Sequence, residues 1–151
     1  MRIRKVAAMF AAGVAMIGGQ ALADDLMLSK SDATDLIQSD VGRPFWQMEA
    51  QCAGIFGAGY AFQVEHKHQK EADRAKDDGI SMLNEAIARL QADRGLDQPA
   101  ALNLAAVEVE TGRSVAKDSL QRDGAGPTSS YNFMRSACYD ISAAQRKHFP
   151  R

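Results

Sequence analysis

The sequence predicts an all-α fold: an antiparallel (up-down-up-down) four-helix bundle with one disulfide joining the first and last long helices. Three observations predict it. Apolar residues recur at spacings of three and four over four long stretches, as on helices with a buried face. Glycine and proline clusters divide those stretches, and no run alternates as a strand would. Cys52 and Cys138 fall near the middle of the first and last stretches, each on its own apolar stripe.

The chain begins with export-type residues. Arg2, Arg4 and Lys5 precede an apolar run from Val6 to Gly18, and Ala21-Leu22-Ala23 stands directly before Asp24-Asp25. That order predicts a secretory signal peptide over residues 1–23, cleaved after Ala23. The run is about 13 residues, short of the ~20 that a membrane-spanning helix needs, so no span is expected after signal removal. Residues 24–43 read as a lead-in with a short helix capped by Ser31 and stopped by Val41-Gly42-Arg43-Pro44. Residues 44–151 form the bundle domain.

The first long helix runs from about Pro44 to the Glu65 region. Phe45, Met48, Cys52, Ile55, Gly59 and Phe62 form its stripe, widened by Phe56 and Tyr60. Ala53, Gly54, Gly57, Ala58 and Ala61 permit close approach by neighbours. A break is expected between Val64 and Gln69. The second helix occupies about Lys67 to Arg94, with Ala72, Ala75, Gly79, Leu83, Ala86 or Ile87, and Leu90 inward; Arg94-Gly95 is a favourable stop. The third opens at Asp97 as N-cap with Pro99 in its first turn and ends near Gln121. Its stripe is Leu102, Ala105, Val109, Gly112 and Ala116, flanked by Leu104, Val107 and Val115. The fourth follows a cap at Thr128, Ser129 or Ser130 and carries Tyr131, Met134, Cys138 and Ile141; Pro150 ends it.

In such a bundle the first and last helices are antiparallel neighbours, which brings Cys52 and Cys138 within reach. An exported domain with one cysteine pair is expected to close it within the chain. The closed loop, about 85 residues, contributes about 4 kcal/mol in the chain-entropy picture. Gly79 and Gly112, each mid-helix, predict a close approach of the second and third helices.

Candidate chemistry is sparse. Glu65, His68 and Glu71 lie one helical turn apart and are the only dense set of metal-ligand types, with His66 pointing elsewhere; on its own such a set reads as a solvated turn. Met27 and His148 are weak haem candidates. They resemble, in placement alone, the Met and His ligands of soluble b-type cytochromes built as four-helix bundles. This chain departs from those in its Gly42-Arg43-Pro44 break, its cysteine pair and the nearly terminal His148. Trp46 beside Phe45 reads as core, Glu49 neighbours the stripe, and Asp77-Asp78 reads as solvated. No catalytic residue, cofactor or metal is assigned: C-x-x-C, Ser-x-x-Lys, Gly-x-Ser-x-Gly and His-Glu-x-x-His are absent.

Signal removal leaves 128 of 151 residues. Of 18 Lys and Arg, 15 remain against 19 Asp and Glu, a net charge of −4. A mildly acidic, interspersed surface argues against nucleic acid as a partner. The expectation is an exported, periplasmic or secreted, non-catalytic protein that binds a protein partner or a small ligand; a haem- or metal-binding bundle is the alternative.

Overall fold

The computed structural model describes residues 43–149. The expected signal peptide, the lead-in before Arg43, Met27 and the Pro150 stop lie outside the described residues. Among the described residues there are four helices: α1 Phe45–Glu65, α2 Gln69–Arg94, α3 Gln98–Asp123 and α4 Ser130–His148.

Local chemistry sets the ends. Pro44 is the N-cap of α1, and its carbonyl accepts from the Gln47 and Met48 N–H groups at 3.1 and 3.2 Å. Lys67 adopts a left-handed φ of 60° and breaks the chain between α1 and α2, inside the expected interval. The second helix starts two residues later than expected, at Gln69, because that break occupies Lys67. Gly95, at φ 64°, ends α2 in the conformation only glycine adopts cheaply. Asp97 caps α3 by accepting from Ala100 N–H at 2.8 Å. Gly124 follows its last residue, Asp123. Ser129 caps α4 by accepting from Asn132 N–H at 3.2 Å, and Ser130 Oγ donates to Asp123 at 2.7 Å across the turn.

Helix α1 is the centre of the molecule rather than one of four equal staves. Its buried residues include Phe45, Trp46, Glu49, Ala50, Gly54, Phe56 and Ala58, which cover nearly its whole circumference. The single stripe expected for α1 is therefore corrected. Trp46 and Ala50 meet Ala86 and Leu90 of α2 and Ala101 and Ala105 of α3. Phe45 packs edge-on against Phe149, just beyond the end of α4. The Cys52–Cys138 disulfide joins α1 to α4 with Cα atoms 5.5 Å apart, as expected from the sequence.

The small residues explain the arrangement, and they correct the expected meeting of α2 with α3. Gly79 faces Ala53 and Phe56 of α1, and Gly112 faces Gln51 of α1. Each glycine serves an approach to the central helix. The inner face of α3 is accordingly Ala101, Ala105, Gly112, Ala116 and Leu120. Leu102, Val107 and Val115, expected in its stripe and flank, are exposed. Two backbones in contact leave no room between them for branched side chains. On α2, Met82 and Glu85 are buried beside the expected Ala72, Ala75, Ala86 and Leu90.

Candidate functional site

A groove between α1 and α3 encloses about 520 Å³ over an apolar floor. That is within the roughly 300–1,000 Å³ of ordinary small-molecule sites. Gly57, Ala58 and Ala61 of α1 form the floor, with Phe62 and Leu120 along it; Arg113 and Lys117 stand on α3, and Glu65 closes the far end. The floor exists because α1 is small-sided here. A Cβ at Gly57 would meet nothing within 4 Å, unlike one at Gly54, which would overlap the Val109 carbonyl. Gly57 thus spends helix stability, about 1 kcal/mol relative to alanine, without a packing contact to explain it.

The two cations are one turn apart on the same face of α3. Arg113 has Glu110 at 3.8 Å, and both side chains are largely exposed. Lys117 has no acidic residue three or four positions away along the helix. No histidine, cysteine or serine lines the groove. Its residues supply an apolar surface, two cations, a carboxylate, the Tyr60 hydroxyl and the Gln121 amide.

A polar layer occupies the opposite half, one turn beyond the disulfide. Glu49 of α1 and Glu85 of α2 are both buried. Ser142 Oγ of α4 donates to Glu85 at 2.9 Å, and Arg146 lies 3.6 Å from the other Glu85 oxygen. Burial, first, and then the neighbouring Glu85 push the Glu49 carboxyl up to about 8, with Arg146 acting weakly in the opposite sense. Glu49 is therefore a neutral acid at neutral pH, which spares the core the cost of burying its charge. Farther along, the Tyr139 hydroxyl donates to Asp78 at 2.5 Å. Burial and this bond push Tyr139 up to about 12.

The residues singled out from sequence are placed as follows. Glu65 is the last residue of α1, His68 precedes α2, and Glu71 lies in its first turn; all three are exposed. His68 Nδ1 pairs with the Gln63 side chain at 2.9 Å, and His66 stacks on Phe62 with ring centroids 4.0 Å apart. Among the described residues no group of three or more His, Cys, Asp or Glu is arranged to hold a metal. His148 ends α4 with its ring 6.1 Å from Phe45. Trp46 is core, as expected, and Asp78 of the Asp77-Asp78 pair serves Tyr139.

Sequence reading missed the groove because Gly57 was grouped with the glycines of close approach. The available signal was Arg113 and Lys117, like charges four apart with little acid in reach. It missed Glu85 because a glutamate beside Ala86 reads as solvated. No described helix is long and apolar enough to cross a membrane. Compared with known protein families, curated proteins and solved structures, the chain matches none.

Proposed function

We propose that this chain is an exported, non-catalytic helical-bundle protein of the periplasm or cell exterior that binds a small ligand in the α1–α3 groove. The observation that carries the reading is Gly57: a mid-helix glycine with open space where its side chain would stand, at the floor of a cavity of about 520 Å³. The basic and apolar start of the sequence supports export. The disulfide suits an oxidising compartment. A concave apolar surface with a few polar groups at its edge favours a small molecule over a flat protein partner.

Native mass spectrometry of protein isolated from the periplasmic fraction tests both halves. The expected chain begins at Asp24 and carries a bound small molecule that Gly57→Phe loses while its circular dichroism is unchanged. A chain that retains residues 1–23 in the cytoplasm would overturn export. The same adduct on Gly57→Phe, or no adduct on either chain, would overturn the groove.

A further inference from the structure

The groove's ends differ in charge, and that polarity selects a ligand. Arg113 lies at the Gly57 end, since its backbone N would be 2.7 Å from a Cβ on Gly54. Lys117 is one turn further along α3. Glu65 stands at the other end of the floor, eight residues along α1 from Gly57, about 12 Å at helical rise. Like charges four apart cost a helix about 0.2–0.5 kcal/mol, and neither cation is closely neutralised. An anion held between Arg113 and Lys117 removes that repulsion, whereas a cation there adds to it. Between the charged ends the floor is Gly57, Ala58 and Ala61, walled by Phe62 and Leu120, with Gln121 the one uncharged amide in the lining, a turn beyond Lys117 on α3. Tyr60, 38% exposed, borders the floor and offers a ring edge and a hydroxyl.

We infer that the groove takes a single-chain amphipathic anion: an apolar tail laid along the α1 floor and a negatively charged head seated between Arg113 and Lys117, away from Glu65. This rests on the groove being the binding site and adds the chemical class of its occupant. No bond is made or broken. The tail exchanges water for the Ala58, Ala61 and Leu120 surfaces, and the head replaces hydration with two charge-assisted contacts.

Isothermal titration calorimetry of the disulfide-bonded mature chain tests it, with decanoate, decyl phosphate, decylamine and decyl maltoside below their micelle concentrations. Decanoate or decyl phosphate is expected to bind at least tenfold more tightly than decylamine, and the stronger of the two says whether a carboxylic acid or a phosphate-headed lipid is the source. Arg113→Glu with Lys117→Glu is expected to reverse the order while leaving the thermal unfolding temperature within a few degrees. Decylamine or decyl maltoside binding as tightly as both anions, with Gly57→Phe abolishing it, would keep the groove and overturn the anion. Anion binding that survives Gly57→Phe would place the ligand elsewhere and overturn both readings, as would no binding by any probe.

Discussion

Gly112 of α3 rests directly on the backbone of Gln51 in α1: a Cβ at Gly112 would lie 2.7 Å from the Gln51 carbonyl carbon and overlap its oxygen. Gly54 repeats the relationship in the other direction, against Val109. Alongside this contact Glu108 accepts from the Gln47 and Gln51 side-chain amides at 2.7 and 2.6 Å. The α1–α3 seam is thus backbone against backbone, clamped by one carboxylate. Gly112→Ala must force the helices apart, and the expected loss is about 1–3 kcal/mol by urea unfolding. Gly57→Ala, facing open space, is expected to be neutral or stabilising by about 0.5–1 kcal/mol. Equal effects of the two would mean that the seam is not closely packed.

The Cys52–Cys138 bond spans 86 residues of sequence. In the chain-entropy account a loop of that size stabilises by about 4–5 kcal/mol. Cys138→Ala is expected to lower the midpoint of thermal unfolding by ten degrees or more. Non-reducing peptide mapping should recover the two half-cystines linked within one chain.

Stability should fall as pH rises. Glu49 keeps its proton to about pH 8 in the folded chain, against an ordinary value of 4.5. Its contribution is full below about pH 4.5, where both folded and unfolded chains hold the proton. From there to about pH 8 the unfolded chain alone releases it, so stability declines, by on the order of 3–5 kcal/mol in total. The groups facing it are Glu85 from α2 and Arg146 from α4. Glu49→Gln should flatten the profile between pH 5 and 8, measured by chemical unfolding at each pH; a decline of unchanged size would assign the effect to another group.

Tyr139 and Asp78 tie α4 to α2 near the surface. Tyr139→Phe removes a hydrogen bond to a charged acceptor, with an expected cost of about 1–2 kcal/mol. Ultraviolet titration should show one tyrosine ionising near pH 12 that this variant lacks. If every tyrosine ionised near pH 10, the hydrogen bond would not form in solution.

How far the sequence reaches can be judged residue by residue. The cap at Asp97, the stop at Gly95 and the break before Gln69 were legible because each depends on a few neighbouring residues, while the α4 cap was legible only as Thr128, Ser129 or Ser130 until the structure chose Ser129. The disulfide was legible because a chain with an export-type start and one cysteine pair is expected to close it, and the two stripe positions lie on neighbouring helices. Gly79 and Gly112 were legible as sites of close approach, but their partner was not: a small side chain declares that something comes near, never which helix. Glu85 was invisible for a related reason, since Glu49, Ser142 and Arg146, which surround it, all come from other helices.

By itself, then, the amino-acid order determined four helices, their approximate ends and the cysteine pairing, which follow from short-range periodicity, capping, topology and the export-type start. Only tertiary packing decided that α1 is central, that α3 docks through alanine and glycine with Leu102 and Val107 turned outward, and that Gly57 opens onto a groove. The physical reason is that burial is a property of pairs. Whether an alanine or glycine face meets a neighbour or empty space depends on what the rest of the chain brings to it.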